Sequence, residues 1–142
     1  MFTELINNAL AVLLLRTVTG ILFFFQGYDK LFNVKIINVT RTFSEPLGKF
    51  HLPFHILKPS IALSSFIELS CGLFLIFGLF KNIALFFLVG DMIFVAFIFS
   101  IMKPMWDMQY YFPRLIFIFL LLMITPGMDI FSLDYLFSNR IK

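Results

Sequence analysis

Apolar residues run through this chain in long, nearly unbroken stretches. Four of them reach the roughly 20 residues that a helix needs to cross a bilayer: Leu5 to about Gln26, Pro59 to Phe80, Ile83 to Met102, and about Tyr111 to Thr125. The breaks between them carry turn chemistry. Lys81-Asn82 reads as a tight polar turn that makes a hairpin of the second and third spans. Lys103-Pro104 and Thr125-Pro126-Gly127 end the third and fourth, because proline cannot continue a helix. The connection from Tyr28 to Lys58 has a different rhythm. Ile36, Val39, Phe43, Leu47 and Phe50 recur at three- or four-residue spacing, with Lys35, Thr40, Arg41 and Ser44 between them. That pattern, over about residues 33–50, predicts an amphipathic helix on the membrane surface or capping the bundle, ended by Pro46 and Gly48. The expected fold is all-α: a single integral-membrane domain over residues 1–142, a four-helix bundle with a short capping helix between its first and second helices.

Composition agrees with the pattern. Of 142 residues 61% are hydrophobic and 13% are charged, and Phe alone occurs 22 times. A soluble domain this small has too much surface for its volume to hide that much apolar side chain, and a disordered chain would be polar. The net charge of +3 is scattered rather than blocked, so nucleic acid is not an expected partner. The lone Cys71 forms no internal disulfide and no CxxC pair, which argues against a self-contained thiol redox protein. Residues Met1 to Asn8 hold neither a positive cluster nor a small-residue cleavage site, so the first apolar run reads as a retained span. Trp106, Tyr110 and Tyr111 fall where an interfacial aromatic belt would sit. Lys30, Lys35, Arg41, Lys49, Lys58 and Lys103 outnumber the positive charges on the side of the termini, which by the positive-inside rule puts the long connection in the cytoplasm.

The few charges inside the spans carry the functional expectation. Arg16, Glu68, Asp91 and Arg114 fall within apolar runs, two positive and two negative. A charge at the bilayer centre costs at least about 2.5–3.5 kcal/mol, so each needs a partner or a purpose. Arg16 shares its helix face with Thr19, Gly20, Phe23, Gln26, Gly27 and Lys30, and Glu68 shares its own with Ser64, Ser65, Cys71 and Gly72. Asp91 has only apolar neighbours at helical spacing, so its partner must come from another helix. One reading is structural: pairing among Arg16, Glu68, Asp91 and Arg114, Arg16 with Glu68 foremost, sets helix order and register. A compatible reading is a polar pocket open toward the long connection, with Arg16, Gln26, Lys30, Glu68, Trp106, Tyr110, Tyr111 and Arg114 as its candidate lining, and Asp29, Asp107 and Gln109 at its mouth. His51 and His55 sit in a loop around Pro53 and no span carries a histidine, so neither a metal nor a haem site is expected.

Three segments resemble the DoxX-like family of small membrane proteins. Arg16-Thr-Val-Thr-Gly20 through Gly27-Tyr-Asp-Lys30-Leu-Phe32 is similar to that family's first helix. Glu68-Leu-Ser-Cys-Gly72 leading to Gly78-Leu-Phe80 is similar to its second, and Pro126-Gly127 followed by Ser132-Leu-Asp134 to its closing motif. The family often opens its last helix with a Tyr-Glu element, where this chain has Tyr110-Tyr111-Phe112-Pro113-Arg114, and Thr125 replaces a glycine before Pro126. The resemblance implies a four-helix bundle in the bacterial cytoplasmic (inner) membrane, with the first connection outside the cytoplasm, opposite to the charge count. It also implies association with quinone-linked oxidation, oxidative-stress complexes or amine oxidation.

Two functions are therefore expected. In the first, the chain is a quinone- or quinol-interacting subunit of a membrane redox system. It carries no cofactor motif of its own, Arg16 and Glu68 set the pocket charge, and Trp106, Tyr110 and Tyr111 stack on a ring that Arg114 or Gln26 hydrogen-bonds. In the second it is a non-catalytic membrane subunit or assembly factor, its charges structural and its aromatic faces turned to other subunits or to a second copy. A transporter ranks lower, since four spans without a repeat leave little room for alternating access.

Overall fold

The computed structural model describes residues 2–47, 53–102, 111–124 and 126–140. Within them the chain forms α1 (Phe2–Tyr28), α2 (Ile36–Leu47), α3 (Phe54–Phe77), α4 (Lys81–Met102), α5 (Tyr111–Met123) and α6 (Leu133–Arg140). A π-helical turn over Asp29–Asn33 extends α1, and a 3-10 turn covers Pro126–Met128. Three of the helices are long and apolar enough to cross a membrane. The fourth expected span is shorter than its apolar run: α5 has 13 residues, about 20 Å of helix at 1.5 Å per residue. It stops before Pro126, which has no N–H to carry the ladder on.

Two expected boundaries move. The second span does not start at Pro59. α3 begins at Phe54 behind Pro53, and Pro59 lies inside it. So near the start of a helix the missing N–H costs a single ladder bond, and the rest of the turn is held by Ile56 N–H and Leu57 N–H donating to Pro53 O at 3.0 and 3.2 Å. The α3–α4 turn is not Lys81-Asn82 either. Lys81 already belongs to α4, and the chain reverses at Gly78, whose φ of +66° is open to glycine without steric cost. Gly78 N–H donates to Leu75 O and Leu79 N–H to Phe74 O, the paired bonds of a Schellman cap.

The amphipathic connection is the helix α2, which ends at Leu47; Gly48 to Phe50 lie outside the described residues. Val39, Thr40 and Leu47 are buried, while Ile37, Asn38, Arg41 and Thr42 are exposed. α2 packs on α3 and, with fewer contacts, on α4. Lys35, at φ +66°, turns the chain from the π-helical turn into it.

The tightest seam joins α1 to α3. The two run antiparallel, and glycines set how near they come. A Cβ on Gly20 would lie 2.8 Å from Gly72 O, and one on Gly27 would lie 2.6 Å from Ser65 O. Both are closer than a side-chain carbon tolerates, so the backbones touch, as small residues allow between membrane helices. The core beside this seam is Phe23, Cys71, Leu75, Leu85, Leu88, Met92, Ile118 and Leu121. The outer faces of α1, α3, α4 and α5 are strewn with exposed Leu, Ile and Phe, such as Leu14, Phe66, Phe86, Phe97 and Phe119. The solvent that suits such faces is lipid.

Candidate functional site

The intramembrane charges fall into two groups, at two levels of α3. At its C-terminal end, the fully buried Arg16 reaches from α1 to the α3–α4 turn. Its Nη1 donates to Leu75 O at 2.7 Å and Ile76 O at 3.1 Å, and its Nη2 to Phe131 O at 3.2 Å. Leu75 and Ile76 lie in the last turn of α3, where carbonyls lack helical partners and the helix dipole favours a cation. Arg16 Nε stands 3.4 Å from Asp129 Oδ1, and Lys81 Nζ stands 3.3 Å from Asp129 Oδ2. Asp134 caps α4 by accepting from Phe80 N–H and Lys81 N–H, each at 2.9 Å. Ser132 caps α6, its Oγ accepting from Tyr135 N–H at 3.2 Å. The group holds two cations and two carboxylates, and it bolts the C-terminal segment to the hairpin turn.

Arg16 therefore does not pair with Glu68, contrary to the sequence expectation. The glycine seam decides this. It sets Gly20 against Gly72 and Ile76, and Gly27 against Ser65 and Leu69. Along α3, Glu68 and the Ile76 that meets Arg16 are eight residues apart, about 12 Å of helix. Arg16 also takes no part in the pocket.

Near the middle of α3, Glu68 is 1% exposed and meets Lys30. Lys30 Nζ donates to Glu68 Oε1 at 2.9 Å and Oε2 at 2.7 Å. Lys30 lies in the π-helical turn that extends α1. Asp91 and Arg114 are the other charges in electrostatic range of Glu68. Asp91 is 5% exposed, and among the described residues its buried Oδ2 has no hydrogen-bond partner. Among the described residues no carboxylate lies within ion-pair distance of Arg114.

Beside this group lies a cavity of about 250 Å³. Gln26 and Lys30 from the end of α1, Val39 and Phe43 from α2, and Leu57, Ile61 and Ser64 from α3 form one side. Phe94, Val95, Ile98 and Phe99 from α4, with Tyr111 and Arg114 from α5, form the other. The polar groups are few and the walls mostly apolar, the usual make-up of a small-molecule site. The Tyr111 hydroxyl donates to Met92 O at 2.8 Å, so toward the cavity its oxygen can only accept. Gln26 Oε1 is buried with no partner. An engineered cavity of about 150 Å³ accepts benzene, so this one has room for a substituted six-membered ring.

Of the candidate lining residues, Gln26, Lys30, Tyr111 and Arg114 line the cavity, and Glu68 pairs with Lys30. Asp29 turns outward and accepts from Asn33 Nδ2 at 2.9 Å. Trp106, Asp107, Gln109 and Tyr110 lie outside the described residues, as do His51 and Thr125. The sequence reading missed Asp129 as the partner of Arg16 and Lys81, Asp134 as the cap of α4, and the Lys30–Glu68 pair. The signal for the pair was present in Gly20, Gly27 and Gly72, which fix the level at which α1 and α3 meet.

The comparisons with known proteins agree with this architecture. No characterised protein and no solved structure matches the chain. The model of the DoxX family matches residues 11–101. That stretch runs from α1 through most of α4 and holds Arg16, Lys30, Glu68 and Asp91, with Tyr111 and Arg114 beyond its end. Helices fit to cross a bilayer and a family match over more than half of its length make this chain an integral membrane protein belonging to the DoxX family.

Proposed function

We propose that this protein is a quinone- or quinol-interacting subunit of a membrane redox system in the bacterial cytoplasmic membrane, and that the ring occupies the cavity between α2, α3, α4 and α5. The observation that carries this reading is the cavity itself: about 250 Å³, apolar on most sides, with Arg114, Lys30, Gln26 and Ser64 converging on it. A ring with oxygen at two edges suits such a wall, since Arg114 can donate to one oxygen while Phe43, Phe94 and Phe99 cover the faces. A polyprenyl tail is too large for the cavity and would lie along the lipid-facing helices. Lys30 and Glu68 neutralise each other, so the site favours a neutral ring over a strong anion. The redox chemistry is the ring's own, and the electrons come from or go to another subunit or a second copy.

Extraction of the purified protein and mass analysis of its lipids tests the reading. The expected result is quinone retained in near-stoichiometric amount. Titration with a short-chain benzoquinone and its quinol should give saturable binding that Arg114→Gln weakens. No retained quinone together with no binding of either form overturns the proposal.

A further inference from the structure

The Lys30–Glu68 pair is unequal in what it shows to the cavity. Lys30 Nζ donates one proton to Glu68 Oε1 at 2.9 Å and another to Oε2 at 2.7 Å. An ammonium carries three N–H donors in a tetrahedral arrangement, so the third points away from that carboxylate. The Glu68 side chain is 1% exposed and the Lys30 side chain 24%, so the accessible side of the pair is the lysine's. Among the described residues that line the cavity is Lys30, and Glu68 is not one of them. The two bonds to Glu68 also restrain where the third N–H stands, on a side chain that is otherwise flexible. Arg114, on α5, is the second cation of the lining, and it too can only donate.

Resting on the proposed quinone or quinol site, we propose that Lys30 binds the ring directly, its third N–H donating to the ring oxygen that Arg114 does not hold, and that Glu68 positions the lysine for this. A ring oxygen that enters an apolar cavity gives up its water and needs a donor in exchange. Arg114 alone would leave one oxygen of a two-oxygen ring unmet. With Lys30, each oxygen meets a charged donor, the stronger kind of hydrogen bond. Glu68 cancels the lysine's charge, so the second donor adds no net charge to the site. The cavity then sorts rings by the number of their oxygens. A ring with one carbonyl engages one cation, a ring with two engages both, and the second bond is worth about tenfold in affinity.

The test is titration calorimetry of the purified full-length chain with decyl-benzoquinone and with decyl-cyclohexenone, whose ring has a single carbonyl. The unsubstituted protein should bind the benzoquinone about tenfold tighter than the cyclohexenone. Lys30→Met combined with Glu68→Gln removes both charges, so neither is stranded. It should cut benzoquinone affinity about tenfold and leave cyclohexenone affinity unchanged. Glu68→Gln alone keeps the lysine but loosens its hold, and should lower the ratio of the two affinities several-fold. The ratio separates this role from a structural one, because a damaged fold weakens both probes together. A ratio near one in the unsubstituted protein, a ratio unmoved by the double variant, or equal weakening of both probes overturns the role of Lys30 while the site stands. A ratio unmoved by Glu68→Gln overturns the positioning by Glu68. Binding of neither probe overturns the site and the role together. If the double variant fails to fold, the ratio in Glu68→Gln decides alone.

Discussion

The two charged groups along α3 are built from similar residues and sit in different surroundings. Around Arg16 the guanidinium donates to three carbonyls, Asp129 stands within ion-pair distance of Arg16 and Lys81, Asp134 caps the hairpin turn, and none of these residues lines the cavity. Around Glu68 the ion pair with Lys30 adjoins a cavity, which Lys30, Gln26 and Arg114 line. The lesson is that an intramembrane charge signals either architecture or a site, and an adjoining cavity separates the two.

That contrast can be broken experimentally. The largest effect belongs to the closed cluster. Arg16→Gln strands the α3 carbonyls and leaves Asp129 with Lys81 alone, so it should destabilise by about 3–5 kcal/mol, the cost of removing one member of a buried pair. SDS-driven unfolding of the purified protein measures this, and a loss below about 1 kcal/mol would show the cluster to be dispensable. Next come the glycines between the two groups. Gly27→Leu pushes α1 from α3 and should cost about 1–3 kcal/mol by overpacking, with ligand affinity lost as the Lys30–Glu68 register slips. A stable variant with full binding would break the link between seam and site.

Smaller effects belong to the open group. Lys30→Gln and Glu68→Gln should each cost about 1.5–3 kcal/mol, the range for a hydrogen bond to a charged group. The double variant should cost less than their sum, because neither charge is then stranded. Additive losses would mean that the 2.7 Å contact carries no coupling. Arg114→Gln should change stability least, within about 0.5 kcal/mol, because it breaks no ion pair among the described residues. Binding of a benzoquinol should nonetheless fall about tenfold, the worth of one charge-assisted hydrogen bond. Equal effects of Arg16→Gln and Arg114→Gln on both stability and binding would erase the distinction between the two groups.

Much of the fold was legible along the chain. Runs of Leu, Ile and Phe marked the long helices because the lipid solvent demands them, and the alternation at Ile36, Val39, Phe43 and Leu47 marked α2 because only one of its faces is buried. The errors sat at punctuation. Pro59 was read as a start, although a proline so near the front of a helix breaks only one bond. Lys81-Asn82 was read as a turn, although Gly78 provides the left-handed residue that a helix end needs. The site was half legible: Gln26, Lys30, Tyr111 and Arg114 stood out by polarity in apolar surroundings. Ser64 was seen only as a neighbour of Glu68, since a small hydroxyl carries little signal until a cavity forms beside it.

The chain alone determined that this protein lies in lipid, that its connection forms an amphipathic cap, and that a few charges would be buried. Those properties depend on each segment's own exposure to apolar solvent, and periodicity reports them directly. The tertiary structure decided which charge meets which. Pairing depends on the relative height of two helices, and that height follows from glycines letting backbones touch at Gly20, Gly27 and Gly72. A slip of two turns along that seam would bring Arg16 level with Glu68. The close fit forbids it, so Arg16 closes the far end and Lys30 is left to guard the cavity.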